Sequence, residues 1–450
     1  MTMTMTTSTS TSGVLVIGAL ALVLSGCQPA NGTDDQPDQA DAAGLATGAV
    51  PIYEWDPYWP TRPLPNQWAL GNVVGVDVDE EDNIWILQRP RTLLHGHEDD
   101  AAYPIPESEC CVPAPSVIVF DQAGDVIRAW GGPGAEYEWP LFRGQSSNAT
   151  DVIPEGAAAG GRAPQRTQYG SGLALDYPWP ESEHTLVLDR TGHVWIGNNG
   201  GSHLVQLTRD GEFVRTFGRA GASRAELGSN ITDTLNRPAG ITVDDEAGEV
   251  YVADGYGNRR LIVFDVETGE YKRHWGAYGR RPDDTVPHRR VPFVWSPDDP
   301  RPQQFNTAHT VRIDQDGLVY VGDRNNSRIQ VFEKDGTFVK EALVKPTTNR
   351  GSVLDFVFSR DPEQRFLFVA DGRNERVWIL RRSDLRVIGE FGHASHFGGG
   401  FTLVHNIGID SRNNLYVTES LEGKRVQRFL YKGLGPAEHQ YDEYGLRIAP

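Results

Sequence analysis

An all-β fold, a closed six-bladed β-propeller with four antiparallel strands per blade, is predicted by three features of this 450-residue chain. A unit of two short strands around a tight turn recurs from about residue 70 onward, and such a repeat has to be settled before any motif is interpreted. The composition, 49 Gly, 29 Pro and 10% aromatic residues, suits many short strands joined by tight turns. No stretch carries an extended helical periodicity.

Each unit begins with an apolar strand and a turn rich in Asp, Gly or Asn. A second strand follows, carrying an aromatic residue: Trp85, Trp195, Tyr251, Tyr320, Phe368 and Tyr416 in the six copies. Most copies continue with an Asp or Asn, a short polar turn, an Arg or Lys and a third apolar strand, as in ADGYGNRRLIVF, GDRNNSRIQVF and ADGRNERVWIL. DGEFVRTFG and DGTFVKEAL supply fourth strands. Sheets of this kind bury their faces against their neighbours, and six of them close a ring without exposed edges.

Ahead of the repeats, the apolar run Gly13 to Leu24 is too short to span a membrane comfortably and fits the core of a signal peptide. It leads through LSG to Cys27, and this stretch resembles a bacterial lipoprotein signal, although residues 1–61 contain no Lys or Arg. The resemblance implies that Cys27 is lipidated and that the chain is exported and anchored to a bacterial membrane through lipid alone. The domain reading is therefore a signal over 1–27, a polar tether over 28–54 and the propeller over 55–450, with residues 55–70 packing on or completing the last blade. Two long connections, from about Gly131 to Glu183 and from Ala277 to Phe305, are candidate lids or binding loops. Cys110 and Cys111 are adjacent, and an exported chain allows a vicinal disulfide, two separate thiols or an intermolecular pairing. A formal net charge of −19 argues against nucleic acid as a partner.

The chemistry concentrates on three histidines. His184, His309 and His405 share one spacing to their unit's aromatic residue, at the start of the innermost strand, whereas the intervening units carry Val74, Ala239 and Leu354 there. Alternate blades of a six-bladed ring are related by threefold symmetry, so three equivalent imidazoles point at one position on the axis. A three-histidine site suits zinc and leaves a fourth position open for water or substrate. Strand direction brings Arg89, Tyr256 and Arg324, which follow the ends of second strands, to the same rim: Tyr256 as a candidate base, the arginines as candidate carboxylate binders.

These residues, from about Val73 to Leu430, resemble the NHL-repeat propellers and in particular the lyase domain of the peptide-amidating enzyme. That resemblance implies zinc on His184, His309 and His405, Tyr256 as base, and Arg89 and Arg324 flanking the site. It also implies a calcium ion, with Val76 and Leu186 at the carbonyl positions and Asn406 where the family has an aspartate. The implied reaction is C–N cleavage of a peptidyl α-hydroxyglycine or similar carbinolamide at the channel mouth, releasing an amide and glyoxylate. Two other readings stay open: a non-catalytic propeller holding a protein or carbohydrate partner, and a metal-dependent, lactonase-like hydrolase.

Overall fold

A computed structural model of the chain describes residues 48–93, 110–132, 179–180, 182–286 and 295–448. Cys27, the signal, the tether as far as residue 47, nearly all of the first long connection and residues 287–294 of the second lie outside the described residues. Six four-stranded antiparallel sheets form the predicted propeller. Blade 1 starts with the strand Asn72–Val78, and blades 2 to 6 start with Glu183–Leu188, Gly240–Asp244, Ala308–Ile313, Asp355–Phe358 and Val404–Ile409. Within each of blades 1 to 5 the strands run outward in chain order. No helix among the described residues is long and apolar enough to cross a membrane.

Second strands such as Glu249–Asp254 and Phe366–Asp371 are buried at every residue, because each sheet is covered on both faces. The six apolar clusters follow the six seams. One joins Tyr320, Ile329 and Val331 of blade 4 to Phe356, Leu367 and Trp378 of blade 5, and another joins Phe368 and Ile379 of blade 5 to Ile407, Val417 and Phe429 of blade 6. The core is therefore a ring of contacts between neighbours, with no centre of its own.

The ring closes by hydrogen bonding between the two ends of the described chain. Ala49–Trp55 pairs antiparallel with Arg425–Pro436, from Ala49 opposite Pro436 to Trp55 opposite Phe429, and becomes the outer strand of blade 6. The propeller thus starts at Ala49, inside the segment assigned to the tether, and residues 49–55 complete the last blade. Residues beyond Trp55 lock the seam: Asp56 accepts from Arg428 Nε at 2.9 Å, and Trp59 packs edge-on against Tyr416 of blade 6 and Phe120 of blade 1.

The Asp–turn–Arg motif is an internal clamp. Arg260 is fully buried, pairs with Asp254, and donates to the carbonyls of Ser229, Ile231 and Thr234 on the connection entering blade 3. Arg328 pairs with Asp323 in blade 4, and Arg425 with Glu419 in blade 6. Removing one partner of such a buried pair leaves the other charge uncompensated, at a cost of about 3–5 kcal/mol. Arg260→Ala is therefore expected to lower the Tm by roughly 5 °C for a chain of this size. Arg324→Ala, on the rim outside any clamp, is expected to leave it within about 1 °C. Equal Tm values for Arg260→Ala and wild type would show that the clamp does not hold the blade.

Candidate metal centre

His184, His309 and His405 are each the second residue of the inner strand in blades 2, 4 and 6, and all three are buried. Their rings surround one point, with centroids 4.9 Å (His184–His309), 4.8 Å (His184–His405) and 5.5 Å (His309–His405) apart. One ligand nitrogen from each lies within 4.8 Å of the others, forming a cluster that could hold a metal ion. A local irregularity aims the side chains. Pairing with the second strand shifts register between Glu183 and Leu186, between Ala308 and Thr310, and between Val404 and Ile407, so every histidine sits in or beside a bulge. Bulges re-aim side chains in this way, and the sequence did not reveal them.

The intervening blades orient the rings. His184 Nδ1 lies 3.2 Å from the carbonyl oxygen of Ala239 and His309 Nδ1 2.5 Å from that of Leu354. His405 Nδ1 faces the side-chain oxygen of Asn406, and the ring is also hydrogen-bonded to the backbone of Val74. An oxygen acceptor requires Nδ1 to carry the proton, which leaves the Nε2 lone pairs of His184 and His309 facing the axis. Val74, Ala239 and Leu354 occupy the histidine position in the blades that lack one. Three blades therefore supply imidazoles while the other three supply carbonyls that orient them.

Burial, followed by the neighbouring imidazoles and Arg89, holds His184 well below the ordinary histidine range. Burial, then Arg324 and His405, does the same for His309, and burial with Arg89 and Arg324 lowers His405 to about 3. All three stay neutral at physiological pH, the form in which imidazole binds a metal.

Tyr256 closes the site from blade 3. Its hydroxyl lies 3.1 Å from His184 Nε2 and 3.0 Å from His309 Nε2, and it accepts from Arg324 Nη1 at 3.1 Å. The preceding Gly255 makes this approach possible, since a Cβ there would stand 2.1 Å from the Ala308 carbonyl oxygen. Arg237, which the sequence reading passed over, lies 5.4 Å from the tyrosine ring centroid. Arg89 Nε donates to the Glu183 carbonyl beside His184, leaving Nη2 buried without a partner, and Arg324 Nε is also buried and unpartnered. The blade clamp in this repeat is Arg328, so Arg324 is left for the site.

A further buried carboxylate escaped the sequence reading. Asp355 of blade 5 accepts from Thr310 Oγ1 at 2.6 Å, from Arg312 at 3.0 Å and from Asn406 Nδ2 at 3.0 Å, bracing the strands behind His309 and His405. Asn406 is thus engaged at both ends, by His405 and Asp355. Val76 and Leu186 lie in the inner strands of blades 1 and 2. With Asn406 so engaged, nothing carries the calcium expectation further. Cys110 and Cys111 form a vicinal disulfide next to Val112–Pro113, which pairs with Trp68–Ala69.

Comparison with known proteins adds a lineage. The NHL repeat model matches residues 235–264 and 305–332, in blades 3 and 4. The human NHL repeat-containing protein 3 is 26% identical over 84% of this chain and 84% of its own length. A probable peptidyl-alpha-hydroxyglycine alpha-amidating lyase of Caenorhabditis elegans is 24% identical over 58% of this chain and 65% of its own length. Peptidyl-glycine alpha-amidating monooxygenase B of Xenopus laevis is 31% identical over 35% of this chain, a match spanning 16% of that protein. The chain is a six-bladed propeller bearing NHL repeats, with distant homology to the peptidylglycine amidating lyases and monooxygenases.

Proposed function

We propose that the protein is a zinc-dependent lyase that cleaves the C–N bond of a peptidyl α-hydroxyglycine or a related carbinolamide, yielding an amide and glyoxylate. The observation that carries this reading is the Tyr256 hydroxyl held between two inward-facing histidine nitrogens and an arginine. A site built only to hold a structural ion has no need of a phenol there. The distant homology to a probable amidating lyase supports the same reaction class.

The donor set fits zinc: three neutral imidazoles, oriented from behind, with a fourth position open. Nitrogens bound to one zinc at about 2.0–2.1 Å stand roughly 3.4 Å apart. The imidazoles would therefore tighten from their present spread of up to 4.8 Å. A bound ion would supply Lewis acidity toward the substrate hydroxyl. Tyr256, as the phenolate, takes the hydroxyl proton; the C–N bond breaks as the aldehyde carbonyl forms, and the proton passes to the departing amide nitrogen. No proton is gained or lost overall. Arg324 donates to the phenolic oxygen, so negative charge there meets a cation. The unfilled N–H groups of Arg89 and Arg324 are suited to the substrate carboxylate, which lacks any other role in the reaction.

Purified protein is expected to carry about one zinc per chain, and His309→Ala to lose most of it. Elemental analysis decides the matter, and unchanged metal content in the variant sinks the three-histidine site. Tyr256→Phe keeps the ring, so zinc content and Tm should hold. Glyoxylate release from an N-acyl-α-hydroxyglycine should fall about 100-fold, mainly in kcat. Full activity in that variant would discard Tyr256 as the base, and zinc-loaded wild type releasing no glyoxylate would discard this substrate class. We also propose that the chain is exported and lipid-anchored through Cys27, outside the described residues. Cys27→Ser should move the protein from the membrane fraction to the soluble one; continued membrane association would contradict the anchor.

A further inference from the structure

Arg373 has no part in the reaction described above, yet it holds a position equivalent to that of Tyr256, which does. Tyr256 and Arg373 each stand two residues beyond the second strand, in blades 3 and 5, and Arg89 is the last residue of that strand in blade 1. Each, or the glycine before it, abuts the residue just ahead of a site histidine. Arg89 donates to the carbonyl of Glu183, before His184. Gly255, before Tyr256, lies against Ala308, which precedes His309. Gly372, before Arg373, lies against Val404, which precedes His405, and a Cβ on that glycine would stand 2.2 Å from the Val404 carbonyl oxygen. The pseudo-threefold arrangement of the histidines therefore extends to the rim residues, with Arg373 at its third position.

The guanidinium of Arg373 makes no hydrogen bond or ion pair among the described residues, and its Nε is buried without a partner. The nearby carboxylates are occupied elsewhere. Asp371 accepts from the backbone N–H groups of Arg373 and Asn374 and from the Trp378 indole, while Glu375 accepts from the Leu403 backbone. After burial, Arg324 and Arg350 act against the positive charge of Arg373, while Glu375 and Asp371 act in its favour. Arg350 is exposed, and the adjoining Gly351 is packed tightly against the Arg324 carbonyl. Beside them lies a cavity whose lining includes Trp295, Asp299, Arg301, Asn325, Leu343 and Arg350. A buried N–H without an acceptor beside other cations, as at Arg373 Nε, is costly unless an anion completes it.

We infer that Arg373, with Arg350, forms a second anion subsite that reads an additional carboxylate on the acyl portion of the substrate. Its preferred ligands are consequently dianionic, such as a carbinolamide of an acidic peptide or of a dicarboxylic acid monoamide. The inference rests on the lyase reading for the identity of the substrate, whereas the subsite itself rests on Arg373 and its surroundings. Arg373 acts on specificity, and Arg89 and Arg324 retain the carboxylate next to the reacting carbon.

Calorimetric titration of the purified protein with butyrate, succinate, glutarate and adipate at constant ionic strength tests it without turnover. At least one dicarboxylate should bind about 10-fold more tightly than butyrate, in the range for one desolvated charge-assisted contact. R373Q should abolish that advantage and leave butyrate binding within about twofold of wild type. The subsite is overturned if no acid binds, if the dicarboxylates bind no better than butyrate, or if R373Q weakens butyrate and the dicarboxylates equally, which would make Arg373 a third ligand of one carboxylate. An Arg373-dependent dicarboxylate preference in a protein that releases no glyoxylate would uphold the subsite and refute the lyase chemistry alone.

Discussion

Ring closure is the constraint on which everything else depends. No blade buries its faces alone, since the apolar clusters lie in the seams between blades. The site histidines come from blades 2, 4 and 6, so their separation is set by the ring as a whole and by no local motif. Antiparallel pairing of Ala49–Trp55 with Arg425–Pro436 fixes that circumference by linking the beginning of the described chain to its end. It also covers the edge that the last blade would otherwise present.

Within the closed ring, arginine performs two separate tasks in adjacent positions. Arg328, at the start of a third strand, is fully buried, paired and saturated, and fastens the turn of its own blade. Arg324, a few residues earlier in the same turn, has one hydrogen bond to Tyr256 and a buried Nε without a partner. The first is stabilised by the folded protein itself. The second leaves a buried Nε without a protein acceptor, which a ligand carboxylate would supply. This difference in hydrogen-bond saturation separates scaffold from site more sharply than position in the repeat does.

Much of the fold was legible because the repeat is a strong signal: six buried aromatic residues, turns of Asp, Gly and Asn, and one Arg in register. The convergence of His184, His309 and His405 was equally legible, as symmetry makes equal spacing equivalent to a shared direction. The bulges at the histidines were not, since a bulge is a change of pairing register and leaves no mark in composition. The carbonyls of Val74, Ala239 and Leu354 were hidden for a related reason. Backbone oxygens carry no side-chain identity, and these residues entered the sequence reading only as positions lacking histidine. The first strand of the ring was absorbed into the tether because VPIYEW follows a polar, acidic stretch and has no repeat of its own ahead of it. Asp355 and Arg373 were passed over because neither blade 5 residue stands beside a histidine of its own repeat.

A chain with a net charge of −19 repels small carboxylates at long range, yet its central site carries Arg89, Arg324 and Arg237. Neutral imidazoles are essential to that arrangement. If they were protonated, three more positive charges would face the arginines at close range, and burial already disfavours that state. The histidines consequently contribute electron pairs without charge, while the arginines contribute charge without electron pairs. Tyr256 stands between the two sets, touching a histidine nitrogen on either side and an arginine behind. A group that gives up a proton at this point passes its charge from the substrate toward the cationic rim, and the same rim draws the carboxylate that orients the substrate. Binding and proton removal thus use one electrostatic gradient, built across blades that only the closed ring holds in place.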